Sequence, residues 1–301
     1  MKALVFGGGG QDGHYLIEHL IEQGHEVFAT STRAAAMQDR PGLYWVWSDL
    51  RDDDMVNAAV VTARPDVVFN LAAVTTPGKS WMWLQSESVD VAEVNAMGAL
   101  RVLRAVERYA PWARVVHASS SAIYDPGRYG LYGASKVFAH EVVRGYRSRG
   151  LWASNAVLYS HTSPRQDARF LVPHICRAAA RIHRGSSEFI RLRAPRSLRD
   201  WLHAADAVRA LATLAGQDAS GDFDVASGRQ WSMRAVVSMA LTGTGRAVSD
   251  VVIDEGGESV TERPADLDAI RATGWRPERE FPDVLAEMVR AALAETKEST
   301  P

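Results

Sequence analysis

Ala3-Leu4-Val5-Phe6-Gly7-Gly8-Gly9-Gly10-Gln11-Asp12-Gly13, leading into the periodic stretch from Tyr15 to Gln23, is the passage that decides the fold. The apolar residues form a strand core, and Leu16, Ile17, Leu20 and Ile21 then recur on one helical face until Gly24 stops the helix. Between strand and helix lies a tight turn of glycines. Without a Cβ the backbone turns sharply and comes close to a pyrophosphate, while the unpaired N–H groups at the helix start attract the anion. Two registers fit the same residues, Gly8-x-Gly10-x-x-Gly13 and Gly7-x-x-Gly10-x-x-Gly13. Either makes the turn a candidate dinucleotide cradle, built from Gly7, Gly10, Gln11, Asp12 and Gly13.

Working outward, His25 to Thr30 reads as the second strand, and its end governs which dinucleotide fits. A carboxylate there accepts hydrogen bonds from the adenosine ribose of NAD and repels the 2′-phosphate of NADP. The residues are Ser31, Thr32 and Arg33, with no acid and one guanidinium, so NADP(H) is favoured over NAD. Tyr44 to Trp47 is a short third strand, followed by Asp49 and Leu50 where the adenine would lie. A helix from Asp53 to Ala63 leads to Val67-Val68-Phe69-Asn70-Leu71-Ala72-Ala73, a continuous apolar run typical of a parallel strand buried on both faces. Its tail, Leu71, Ala72 and Ala73, is small enough for a cofactor to lie against the backbone. Residues 74–84, including Thr75, lack a clear period and read as a loop over the mouth of the site, and a helix covers about Val89 to Tyr109. This alternation predicts an α/β fold: a Rossmann-type, doubly wound parallel sheet with a smaller mixed α/β substrate-binding lobe. The expected domains are 1–162 with about 203–226, binding the dinucleotide, and about 163–202 with 227–301, reading the substrate.

With 301 residues, 47% hydrophobic and 23% charged, the chain can bury a large core, and a formal net charge of −2 offers no basic excess for nucleic acid or an anionic membrane. Small molecules are the expected partners. The chain opens directly on a strand and has no apolar run of about eighteen residues, so no signal peptide or membrane span is expected, and a cytoplasmic location follows. The one cysteine, Cys176, lies in the apolar run from Val172 to Ala180 and reads as a buried side chain; no metal site is expected.

Arg114 to Ala118 forms the fifth strand and runs into Ser119-Ser120-Ser121-Ala122-Ile123-Tyr124; twelve residues after Ser120 comes Tyr132, and Lys136 follows it. Tyr132 and Lys136 are one helical turn apart on one face. A tyrosine with a pKa of about 10 is a poor base at neutral pH, but an ammonium and an oxidised nicotinamide nearby would both favour the phenolate. Bringing it to about 7 takes about 4 kcal/mol, within reach of two close cations in a partly dry site. Tyr132 then moves a proton while hydride passes to or from the nicotinamide, and Ser120 holds the reacting oxygen. His117 and His140 read as structural.

With these residues in hand, the chain resembles the extended short-chain dehydrogenase/reductases, in their nucleotide-sugar epimerase/dehydratase branch, over nearly its whole length. Gly10-Gln11-Asp12-Gly13 with Tyr15-Leu16, the end of strand two, Ser160-His161-Thr162-Ser163-Pro164-Arg165 and Arg199-Asp200-Trp201 look most like the GDP-mannose 4,6-dehydratase family. The resemblance favours the register Gly7, Gly10, Gly13. It implies Ser120, Tyr132 and Lys136 as catalytic set and as cofactor contacts for the latter two, and Asn70 to Ala73 as the cofactor-ribose strand. It also implies Arg199 and Arg263 on the substrate diphosphate, Thr75, Ser121, Ser160 and His161 as further substrate contacts, and a homodimer through the helices at about 89–109 and 132–148.

Four departures shape the expectation. Where such dehydratases carry an acid–base glutamate two residues after the serine or threonine, this chain has Ala122, which takes no proton. An asparagine that commonly precedes the His-x-Ser-Pro-Arg stretch is Ser160, and the loop from Val74 to Val94 is longer than usual while Arg263 to Gly274 is shorter. The expected activity is therefore an NADP-dependent nucleotide-sugar epimerase acting at C4 through a transient keto sugar. Its rival is an NADPH-dependent 4-keto-sugar reductase, and a noncatalytic NADP sensor is the reading from another class.

Overall fold

The computed structural model describes residues 1–33, 37–75 and 89–295. The chain runs β1 (Lys2–Phe6), α1 (Gln11–Glu22), β2 (Glu26–Ser31), β3 (Leu43–Trp47), α2 (Asp53–Ala63), β4 (Val67–Asn70), α3 (Gly98–Tyr109), β5 (Arg114–Ser120), α4 (Gly130–Ser148) and β6 (Ala153–Leu158). It continues with β7 (Ser160–Thr162), α5 (Leu171–His183), β8 (Ile190–Leu192), β9 (Leu198–His203), α6 (Ala204–Ala215) and β10 (Asp222–Val225). Last come β11 (Gln230–Ser232), α7 (Met233–Ala240), α8 (Val248–Val251), β12 (Val252–Asp254), α9 (Asp268–Ala272) and α10 (Phe281–Glu295).

The chain divides into two compact units, Met1–Leu158 with Ala207–Val225 and Asp266–Arg276, and Tyr159–Asp206 with Ala226–Ala265 and the residues from Pro277. In the first, a seven-stranded sheet has the order β10-β6-β5-β4-β1-β2-β3, parallel at each junction. The order reverses at β1, with β2 on one side and β4 on the other. That is the switch point where open α/β sheets form their ligand crevice. The inner strands β6, β5, β4 and β1 are buried on both faces because helices cover both, and Leu4, Phe6, Val68, Val102, Leu103 and Val115 fill one core layer. Local chemistry sets the helix ends: Asp52 caps α2 by accepting from the amides of Asp54 and Met55 at 2.8 and 3.0 Å.

In the second unit, α5, α7 and α10 bury Ile175, Val236 and Leu285 against Trp201 and Phe281, whose rings stack at 5.9 Å. A three-stranded sheet, β11-β9-β7, and a two-stranded one, β12-β8, complete it. Asp206, at the start of α6, is fully buried and accepts from the Arg279 amide at 3.1 Å.

Two details differ from the sequence expectation. The helix from Val89 to Tyr109 is interrupted by a π-helical segment, Val91–Met97, before α3. Asp266–Arg276, assigned above to the substrate lobe, belongs to the first unit, where the Asp266 amide donates to the buried Asp224 carboxylate at 2.9 Å and Trp275 is 2% exposed. Of the loop expected over the site, Val74 and Thr75 are described and the rest lies outside the described residues, as does the tail from Lys297. Cys176 is buried, and burial pushes its thiol up to about 12. Among the described residues no helix is long and apolar enough to cross a membrane, and no group of three or more His, Cys, Asp or Glu could hold a metal ion.

Candidate active site

The glycine turn sits at the switch point and is packed too tightly for side chains. Gly7 has φ +84°, and a Cβ on it would come within 2.7 Å of the Ala72 amide nitrogen; one on Gly13 would come within 2.4 Å of the Gly7 carbonyl. These two glycines fix how close the turn lies to the tail of β4 and how close α1 lies to β1. Gly10 is different: a Cβ there would touch only the Gly7 carbonyl, at 3.4 Å. It is the N-cap of α1, makes no side-chain capping bond, and leaves the first-turn amides of the helix open to an anion. This cradle fits a dinucleotide pyrophosphate, with Gln11 and Asp12 in the first turn joined by a 3.1 Å hydrogen bond from the Gln11 amide.

The rim residues divide. Ser31 ends β2 beside the turn, its Oγ 3.4 Å from where a Gly9 Cβ would stand, and accepts from the Arg33 amide at 3.0 Å; Arg33 is exposed. Leu71, Ala72 and Ala73 follow β4 and are half-buried. Asp49 is gripped by Arg51, whose Nε donates to it at 3.0 Å and holds its carboxyl below the usual range. Leu50 is 6% exposed and packs in the core, where a Cβ on Gly98 would strike it at 2.9 Å.

Ser120 ends β5 and caps the following turn, its Oγ accepting from the Ala122 amide at 3.2 Å. The Ser120 side chain also hydrogen-bonds Tyr132, in the first turn of α4. Lys136 lies 5.9 Å from the Tyr132 ring centroid and donates to the Ala118 carbonyl at 2.9 Å. The three predicted catalytic residues are therefore one cluster. Burial dominates its electrostatics. Desolvation raises the Tyr132 pKa above its usual value, against the Ser120 hydrogen bond that lowers it, and the ammonium that should favour the phenolate is engaged by a carbonyl. Burial brings Lys136 down to about 8, opposed by the charge of Asp12.

One functional residue escapes the sequence reading. Asn95, on the π segment and 2% exposed, accepts from the Val74 amide at 2.7 Å and donates to the Val74 carbonyl at 3.0 Å and to Ser135 Oγ at 3.4 Å. Ser135 in turn donates to the Tyr132 carbonyl at 2.7 Å. Asn95 thus ties the start of the loop after β4 to the turn that carries the tyrosine. A lone amide on the otherwise apolar face of Val91, Ala99 and Val102 was the available signal.

The histidines are built into the frame. His117 is 3% exposed and bonded to Asn70 at 3.3 Å, and burial, then Lys136 and His140, hold its pKa well below the usual value. His140 lies 3.0 Å from Ser119 Oγ and 3.6 Å from Asp222, which also accepts from Arg147 at 2.9 Å. Of the expected substrate contacts, Thr75 is exposed and Ser121 half-buried, both in the first unit. Ser160, His161, Arg199 and Arg263 belong to the second: Ser160 opens β7, His161 Nδ1 is 2.9 Å from the Tyr159 carbonyl, Arg199 pairs across to Trp231, and Arg263 is exposed.

A glycine turn at the switch point of a parallel sheet, with a Ser-Tyr-Lys cluster at the ends of β5 and α4, defines an NAD(P)-dependent enzyme of the extended short-chain dehydrogenase/reductase type. Known proteins narrow this further. The family model described as GDP-mannose 4,6 dehydratase matches residues 4–288. A GDP-mannose 4,6-dehydratase of Yersinia enterocolitica is 30% identical over 99% of this chain and 95% of its own. A UDP-glucose 4-epimerase of Thermus thermophilus, solved with NAD, superposes with a TM-score of 0.77 at 26% identity, covering 97% of this chain and 99% of that one. A dTDP-glucose 4,6-dehydratase of Bacillus anthracis, also with NAD, gives 0.82 at 19% identity over 99% and 97%, a likeness of fold alone. The chain belongs to the GDP-mannose 4,6-dehydratase family, and so to the nicotinamide-dependent enzymes that modify nucleotide sugars.

Proposed function

We propose that this member of the family epimerises a nucleotide sugar at C4 through a transient keto sugar, using NADP, and does not dehydrate its substrate. The observation that carries the reading is Ala122. It is 2% exposed and lies in the turn that Ser120 caps, where the family resemblance places the acid–base glutamate of water loss. A methyl group neither takes nor gives a proton, so the C5 proton has no base at that position. What remains is chemistry at one carbon.

A bound nicotinamide supplies reversible hydride transfer to the sugar carbon. Tyr132 moves the proton at the sugar hydroxyl, and Ser120 holds the same oxygen by donating to it. The charged Lys136, when the cofactor is in place, favours the phenolate form of Tyr132. Arg199 and Arg263 hold the diphosphate, and the names of the relatives favour GDP as the nucleotide. The absence of an acid at Ser31, Thr32 and Arg33 supports NADP over NAD. A homodimer through α3 and α4 fits the 42% exposure of Phe138 on α4.

A raised Tyr132 pKa favours a second reading, because a protonated phenol is a general acid suited to reducing a keto sugar with NADPH. The deciding experiment incubates the protein with GDP-, UDP- and dTDP-hexoses and their 4-keto forms, reading product stereochemistry by NMR and NADPH by absorbance. Inverted C4 with catalytic NADP supports the epimerase, and stoichiometric NADPH loss replaces it with the reductase. Release of a 4-keto-6-deoxy sugar with solvent deuterium at C5 overturns the exclusion of dehydration. Tyr132→Phe is expected to lower kcat by at least about 100-fold with the fold intact; turnover that survives it removes the assignment.

A further inference from the structure

The end of the sheet away from the glycine turn carries a cavity of about 480 Å³. Its polar lining is His19 and Gln23 from the last turns of α1, His25 just before β2, Arg209 and Thr213 from α6, and Thr273 after α9. All of these lie in the first unit. Because α1 starts at the glycine turn and rises about 1.5 Å per residue, the cavity stands about 15 Å or more from the pyrophosphate cradle.

Arg209 gives the lining of this cavity a fixed positive charge. Two imidazoles and one guanidinium line it and no carboxylate does. The carboxylates on the neighbouring elements are Asp12, Glu18 and Glu22 on α1, Glu26 on β2, 3.8 Å from Lys2, Asp66 before β4, which accepts from the Lys2 amide at 2.7 Å, Asp206 on α6, Asp218 after it and Asp268 on α9, which also carries Arg271; none of them is in the lining. Arg209 is braced: its Nη2 donates to the Arg276 carbonyl at 2.6 Å, and its guanidinium lies 6.0 Å from the Trp275 ring centroid. Neither His19 nor His25 has a hydrogen-bond or carboxylate partner among the described residues. Burial lowers the His25 pKa first, and the positive neighbours at the Met1 amino group and His19 lower it further.

Two imidazoles beside an anchored guanidinium, with no carboxylate in the lining of a cavity the size of a small-molecule site, offer an anion one fixed positive charge and two further hydrogen-bonding groups. We propose that this cavity is a second ligand site, separate from the catalytic centre, that binds the phosphate group of a small phosphorylated metabolite. Gln23, Thr213 and Thr273 supply neutral hydrogen-bonding groups around the charged ones. Binding takes up a proton, since the imidazolium form of His25 pairs with the anion, so affinity rises as pH falls.

The test follows the Cε1–H NMR resonances of His19 and His25 in the full chain saturated with NADP, which keeps the pyrophosphate cradle filled. Sulfate is the first probe, because its charge is constant between about pH 6 and 8 and any pH dependence then belongs to the protein. Both resonances are expected to shift saturably, with Kd at least about tenfold tighter at pH 6 than at pH 8. His25→Gln, neutral and close in size, is expected to weaken sulfate by about tenfold at pH 6 and flatten the pH dependence, and His19→Gln to weaken sulfate through the lost ring contact. Parallel titrations with inorganic phosphate and a hexose phosphate name the source: tighter binding of the hexose phosphate assigns an ester, equal affinity the free anion. Shifts that stay linear with concentration, or the same affinity in the variants as in the parent, overturn the site whatever the enzyme's activity proves to be.

Discussion

Tyr132 and Lys136 share a face of α4, and burial acts on both by disfavouring their charged forms. The phenol is raised and the ammonium is brought down to about 8. The phenolate expected from the sequence rests on the ammonium and an oxidised nicotinamide together, and the spacing of the two residues shows their adjacency but not the desolvation around them. A pH profile reads the consequence. Lys136 carries its charge below about pH 8, so kcat/KM in the reducing direction is expected to fall as pH rises through 8. In Lys136→Arg, whose guanidinium does not titrate there, that limb should disappear; a limb unchanged in the variant assigns it to another group. Stability gives an independent reading. The folded pKa of Lys136 lies below its unfolded value, so the unfolded chain binds more protons between about pH 8 and 10.5, and stability rises with pH across that window. At neutral pH the buried ammonium costs on the order of 3 kcal/mol. Lys136→Met should therefore be inactive yet more stable than the parent in urea at pH 7, with the gain shrinking towards pH 10. Equal stability at pH 7 would show that the Ala118 hydrogen bond offsets the cost of burial.

At the scale of elements, the π segment Val91–Met97 is the feature that periodicity misses. Its apolar residues continue the helical pattern of Val102, Leu103 and Val106 closely enough that one helix from Val89 to Tyr109 is the natural reading. The widened turn places Asn95 inward, where its amide satisfies both backbone groups of Val74. Asn95→Leu keeps the apolar pattern and removes those partners. It is expected to lower stability by about 1–3 kcal/mol through the unsatisfied Val74 groups, and to lower kcat by freeing the Ser135–Tyr132 turn. Urea denaturation and steady-state kinetics check both halves, and a variant with parental stability and rate would remove Asn95 from the site. By contrast β5 and α4 are legible, because the serine run and the Tyr-Lys pair fall at a strand end and a helix start where local sequence alone sets the geometry.

For the molecule as a whole, legibility divides with the units. In the first, the inner strands β1, β4, β5 and β6 are buried runs set apart by helices, and right-handed parallel crossovers leave few other arrangements. In the second, β7, β8, β11 and β12 are three residues each, too short to show a period, and β8 finds its partner β12 some sixty residues away in the register Ile190↔Val252. Arg199 can be named from its motif, but its place opposite Trp231 depends on such long-range pairings. The cofactor cradle lies wholly in the first unit, from Gly7 to Ala73, so a bound dinucleotide stabilises that unit by mass action. At a free concentration a hundredfold above Kd the gain is about 2.7 kcal/mol, worth several degrees of Tm for a unit of this size. NADP is expected to raise the melting temperature more than NAD at equal concentration, and Arg33→Ala to reduce the NADP shift while leaving the NAD shift unchanged. The neutral side chains Ser31 and Thr32 neither attract nor repel a 2′-phosphate, so the guanidinium of Arg33 carries the difference. A larger shift with NAD would transfer the preference to NAD and leave Arg33 a solvated charge at the end of β2.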